Sequence, residues 1–208
     1  MDLQKIYNQY NIPLNLQRHM LRVASLAQII TEDWQGAKID QQAIIQACLF
    51  HDMANIIKFN FDRPALFEEE QNKTAYWKSI QKKVIKKYGN NLHLATLQIC
   101  QEISLSPKVL TLINNLEWEN IPQILRQNDF ECALSIYCDM RIGPFGILSL
   151  QERLTNLQSR SSIFDFVQLK NNSLLLENSL IEKISIDVNQ ITDKQINSRF
   201  KNLMKITI

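Results

Sequence analysis

Glycine and proline are scarce in this chain, with 4 Gly and 5 Pro among 208 residues. So few turn formers argue against many short strands and favour long helices. Histidine is scarcer still, at 3, which limits any site built on imidazole. None of the 4 cysteines, Cys48, Cys100, Cys132 and Cys138, belongs to a CxxC pair. Each lies in an apolar helical pattern, which argues against a zinc ribbon. They read as small core hydrophobes in a reducing compartment. Excess charge is missing too: the net charge is +2 and the pI about 8.3. That gives no footing for a nucleic-acid or polybasic membrane binder. No apolar run reaches membrane-spanning length, and Met1 to Tyr10 carries no signal-peptide core. The expectation is a soluble cytoplasmic protein without a repeat or low-complexity linker.

What is present is apolar periodicity. With 45% apolar residues the chain can bury a sizeable core. A short helix is expected over about 2–10, ended by Asn11-Ile12-Pro13, and a second from an Asn15 cap to about Glu32. The stripe of the second is Leu16, Met20, Val23, Ala27 and Ile30, and Trp34-Gln35-Gly36 breaks it. A third runs from about Asp40 to Asp52. Phe59, Phe61, Pro64 and Phe67 suggest a folded loop over 53–72, with Glu68-Glu69-Glu70 as a solvated run. Further helices are expected at about 75–88, 92–103, 107–116, 121–127 and from an Asp129 cap to Met140. Three more are expected at about 149–158, 173–187 and 192–204. The lysines of 82–87 read as a solvated face, and Trp34, Trp77 and Trp118 as packing residues. The fold class is all-α, with residues 1–160 as the main domain and 161–208 as a helical extension packed on it.

The third helix ends in adjacent His51 and Asp52 after an apolar run. Burying such groups is costly unless they have partners, and a neutral imidazole beside a carboxylate suits a divalent metal. His19 on the second helix and Asp139 near the end of the Asp129 helix share this character. Three packed helices can bring His19, His51, Asp52 and Asp139 to one point. Two imidazoles and two carboxylates make a mixed N/O site for a divalent ion, with positions open for water and a substrate oxygen.

The order His, His-Asp, Asp resembles the HD-domain superfamily of metal-dependent phosphohydrolases. His19-Met20-Leu21-Arg22-Val23-Ala24 is similar to its H-x-x-R-V-A motif, and Leu49-Phe50-His51-Asp52-Met53-Ala54 to L-x-H-D-x-G. Tyr137-Cys138-Asp139-Met140-Arg141 resembles the last motif, where an aspartate closes the metal site. The resemblance covers about residues 15–160. It implies an HD-domain helical bundle, one divalent ion (Mn, Fe, Co, Ni, Zn or Mg) on His19, His51, Asp52 and Asp139, and phosphate-ester hydrolysis. His51 and Asp52 are the expected catalytic residues, with Asp52 also orienting the attacking water. Arg18, Arg22, Asn55, Lys58, His93 and Arg141 are the expected substrate contacts.

Two departures qualify the picture. Asn55 stands where family deoxynucleotidases use a glutamate, and Ala54 replaces the usual glycine. An asparagine cannot shuttle a proton, so the general acid or base is unassigned. With only His93 left over, a full dinuclear set cannot be assembled, and His93 reads as a phosphate contact or a partial second-site ligand. Two functions stay open: a phosphohydrolase acting on a nucleotide or similar small phosphate ester, and a non-catalytic module that binds metal and nucleotide in regulation or sensing. Neither membrane nor nucleic acid is an expected partner, and oligomerisation is left open.

Overall fold

The computed structural model describes residues 1–62, 72–160 and 166–208. Helices form where the side chains can satisfy their ends. The first, α1 (Leu3–Gln9), is capped by Asp2, whose carboxylate accepts from the Lys5 amide. Asp40 caps α3 (Gln41–Phe50) in the same way through the Ala43 amide. The others are α2 (Leu14–Glu32), α4 (Thr74–Tyr88), α5 (Leu92–Glu102), α6 (Pro107–Asn114), α7 (Ile121–Gln127), α8 (Phe130–Arg141), α9 (Leu150–Arg160), α10 (Phe166–Ile181), α11 (Asp193–Ser198) and α12 (Phe200–Leu203). Asn91, Ser106 and Asp129 each cap the helix that follows, and Pro107 occupies the first turn of α6, where its missing N–H costs nothing. Among the described residues there is no strand, only single bridges such as Asp2 with Thr207 and Trp34 with Ile184. No described helix is long and apolar enough to cross a membrane.

The expected stripe of α2, Leu16 to Ile30, is wholly buried. Its most extensive neighbour is α3, and both pack on α8. These three helices form the centre of the molecule and carry His19, His51 and Asp139. α6 covers α3, α7 and α10 cover α8, and α11 and α12 lie on the other side of α2. All four cysteines are free and buried. Burial pushes the Cys100 and Cys132 thiols up to about 12, so they behave as apolar filler. The lysines of 82–87 are exposed on α4, as expected.

Several boundaries differ from expectation. α2 begins at Leu14 after Pro13, with no side-chain cap. Asn15 already lies inside the first turn, where its carboxamide oxygen accepts from the next amide, Leu16, at 2.8 Å. α3 stops at Phe50 rather than Asp52, and a 3₁₀ turn follows over Asn55–Lys58. α10 begins at Phe166, well before the expected start, because its buried stripe of Leu169, Ser173, Leu176 and Leu180 extends back past Asn171-Asn172. The expected helix over 192–204 is split at Arg199, which lets both segments lie against α2, while its guanidinium pairs with both carboxylate oxygens of Glu32. Pro64, Phe67 and the Glu68-Glu69-Glu70 run lie outside the described residues.

Candidate metal centre

His51 is placed by the end of α3. Its Nδ1 lies 2.9 Å from the Cys48 carbonyl oxygen. A carbonyl only accepts, so Nδ1 must carry the hydrogen and donate it. The bond satisfies one of the orphan carbonyls at the helix end and fixes the ring. Nε2 then points inward as a lone-pair atom in the neutral ring, and it is buried with no hydrogen-bond partner. Opposite it, at 3.3 Å, lies Oδ1 of Asp139 from α8. His19 Nε2, from α2, approaches the same oxygen at 2.9 Å. The two imidazoles meet edge to face with centroids 5.4 Å apart. One ligand atom from each of His19, His51 and Asp139 falls within 4.8 Å of the others, a spacing that a single ion can span.

Asp52 stands at the edge of this group. Its Oδ2 is 3.7 Å from His19 Nε2 and 3.9 Å from His51 Nε2. The same oxygen accepts a 2.7 Å hydrogen bond from the Asn55 amide, so Asn55 fixes the direction of the carboxylate.

A lone pair on His51 Nε2 facing the Asp139 oxygen is repulsive unless a cation lies between them. In the metal-free protein that cation is a proton. Burial opposes charge on His51, yet the Asp52 and Asp139 carboxylates outweigh it and lift the imidazole from 6.5 to about 9. Burial likewise works against the Asp139 carboxylate, but His51 and His19 outweigh it and hold the group well below the usual carboxylate range. The signs follow. His51 adds stability below pH 6.5 that is lost as pH rises through about 9, and Asp139 adds stability above its ordinary range that is lost on acidification.

A metal ion here must displace the His51 proton. Metal uptake at pH 7 is expected to release about one proton, and the apparent affinity to rise about tenfold per pH unit up to pH 9. Calorimetric titration of Mn into the metal-free protein, in buffers of different ionisation enthalpy, measures that proton. An affinity flat between pH 6.5 and 8.5 would contradict the account.

The cluster forms the floor of a cleft of about 430 Å³. Asn55 and Lys58 line one wall, as expected. His93 lies on the wall too, with Nδ1 3.1 Å from Glu117 Oε1 and Nε2 3.2 Å from Asn114 Oδ1. Trp118, expected only to pack, also lines the cleft.

The arginines are redistributed. Arg18, Arg22 and Arg141 are not among the described residues that line the cleft. Arg22 reaches the Pro144 carbonyl at 3.3 Å and so braces the turn after α8. Arg141 is 1% exposed and faces the interior, where it bonds the Leu148 and Val188 carbonyls and the Tyr137 hydroxyl. The expectation of an Arg141–phosphate contact is therefore corrected: its donors are spent on holding the chain reversal that follows α8. Arg153 and Glu117, not singled out in the sequence, and Asn15, expected only as a helix cap, line the cleft instead. One signal for Arg153 existed. Gly143-Pro144-Phe145-Gly146 reads as a turn, and it returns the chain so that α9 starts beside the end of α8, with the Leu148 amide bonded to the Arg141 carbonyl at 2.8 Å.

Residues 16–113 match the family model of the HD domain. Searches of curated proteins and of solved structures found no significant match to the chain. The matched span holds His19, His51 and Asp52 but ends before Asp139, which joins them through the packing of α8 on α2 and α3. The match over residues 16–113 and the all-helical architecture of the described residues are consistent with the HD-domain superfamily.

Proposed function

We propose that the protein is a metal-dependent phosphohydrolase acting on a small phosphomonoester, a nucleotide or similar ester. One divalent ion (Mn, Fe, Co, Ni, Zn or Mg) would be held by His19, His51, Asp52 and Asp139. The observation that carries this reading is the orphaned, buried Nε2 of His51, facing Asp139 and Asp52 at the floor of an open cleft.

When bound, such an ion polarises a phosphoryl oxygen and lowers the pKa of water. The chain's own residues do the rest. Asp52, its Oδ2 fixed by the Asn55 amide, accepts a hydrogen bond from the attacking water and orients it toward phosphorus. His51, held by the Cys48 carbonyl, keeps the floor rigid. Lys58 on the rim contributes positive charge toward the phosphoryl oxygens. Asn55 is committed to Asp52 and has no titrating proton, so no residue at this position serves as acid. Proton carriers typically contribute about 10²–10⁴-fold, so slow turnover is expected. The same observation supports the second reading, a non-catalytic module that binds metal and nucleotide.

Phosphate release across a panel of nucleotides and sugar phosphates, with Mn, Co, Ni, Zn or Mg supplied, decides between them. Asp52→Asn is expected to lower turnover by at least about 10²-fold. Turnover unchanged in that variant would mean a contaminant. No turnover with any ester, alongside measurable nucleotide binding, would establish the second reading.

A further inference from the structure

Ile80, Gln81, Val84, Ile85 and Tyr88 form the inner face of α4, with the lysines of 82–87 outside it. Gln81 puts an amide on that face, half-buried and aimed at the 3₁₀ turn over Asn55–Lys58. Its side-chain nitrogen donates to the Ile56, Ile57 and Phe59 carbonyls at 2.9, 3.1 and 3.0 Å. Two hydrogens are thus shared among three acceptors, all in the turn or in the residue that ends it.

A turn this short closes few bonds of its own. The Ile57 amide reaches the Ala54 carbonyl at 2.9 Å and the Phe59 amide the Ile56 carbonyl at 3.1 Å. Carbonyls at the end of a helical turn need donors from elsewhere, and Gln81 supplies them. The turn also packs between α4 and α5, where the Thr96 hydroxyl accepts from the Ala54 amide at 3.3 Å.

Asn55 is the first residue of this turn and Lys58 the last, and both line the cleft. The Asn55 carboxamide donates to Asp52 Oδ2 at 2.7 Å, and its backbone amide to the Asp52 carbonyl at 3.0 Å. A tilt of the turn therefore moves the donor that aims Asp52. We propose that Gln81 is a positioning residue of the metal centre: through the carbonyls of the turn it fixes Asn55, and through Asn55 the Asp52 carboxylate. This rests on the metal-centre reading, and the experiment separates the two.

The full chain is compared with Gln81→Met, which keeps the length and loses the donors, and with Gln81→Lys, whose ammonium restores donors at similar reach. Gln81→Asn, which withdraws the amide by one methylene, takes the place of Gln81→Met should that variant fail to fold. The readouts are Mn affinity of the folded protein by calorimetry and the visible spectrum of the Co-loaded protein. Gln81→Met is expected to weaken Mn about tenfold and to shift the Co bands, which report the ligand field. Gln81→Lys should recover part of both. In an Asn55→Ala background, Gln81→Met should change Mn affinity by less than about twofold, because the path to Asp52 is already cut. Tyr88→Phe loosens α4 about 10 Å further along the helix by removing a 2.8 Å bond to Glu102, and it should leave both readouts unchanged.

Mn affinity and Co spectrum unchanged in Gln81→Met would overturn the proposal and leave the metal centre standing. Equal weakening with and without Asn55, or the same loss in Tyr88→Phe, would do so as well. A parent that takes up neither Mn nor Co would overturn both.

Discussion

His51→Ala is expected to abolish metal uptake. The ring is 6% exposed, its Nδ1 is fixed by the Cys48 carbonyl, and Nε2 is the atom aimed at Asp139. Without it, His19 and Asp139 form a two-point site with Asp52 at its edge. Parent protein at a free metal concentration of about 100 times Kd gains about 2.7 kcal/mol by mass action, or roughly 5–10 °C in melting temperature for a chain of this size. In His51→Ala that gain should vanish and elemental analysis should find no bound ion. A variant that retains one equivalent of metal, or a parent whose melting temperature ignores saturating Mn and Ni, would remove the metal centre from the account.

The second large effect lies away from the cleft. Arg141→Met is expected to cost about 3–5 kcal/mol of stability, out of the 5–15 kcal/mol typical of a domain. The guanidinium bonds the Leu148 carbonyl and the Tyr137 hydroxyl at 2.5 Å each and the Val188 carbonyl at 3.1 Å. Tyr137 in turn donates to Glu177 at 2.8 Å, and Glu177 is 3.7 Å from Arg141. Methionine fills part of the volume but leaves two carbonyls and the Tyr137 hydroxyl oxygen without their donor, and the Glu177 carboxylate without its nearby cation. Chemical denaturation gives the cost. Metal bound per folded molecule should match the parent, because the residue works on the chain reversal and not on the floor. A loss under about 1 kcal/mol, or a loss of metal from folded protein, would return Arg141 to the site.

The contrast between Asp139 and Arg141 shows what was legible in the sequence. The two are two residues apart on one helix, which turns them about 200° from each other, so both cannot face one cleft. Reading them as one motif hid that geometry. The stripe of α2, the Asp40, Ser106 and Asp129 caps and the turn at Gly89 were all readable, because each is a local matter of periodicity or of a side chain meeting its own backbone. The start of α10 was not. Asn171-Asn172 resembles a helix boundary, and only packing against α8 carries the helix back to Phe166. Arg153 was missed for a related reason: its place depends on how the 143–148 turn aims α9, and no local pattern encodes that direction.

His19 and Asp139 meet at 2.9 Å across 120 residues of chain. The ends of α2, α3 and α8 therefore share one point of attachment, although each belongs to a different stretch of sequence. An ion held there is bound only while all three ends are in place. Its binding free energy then adds to the opening free energy of each helix alike, so segments that open separately in the metal-free protein should exchange their amide hydrogens as one cooperative unit once the ion is in place.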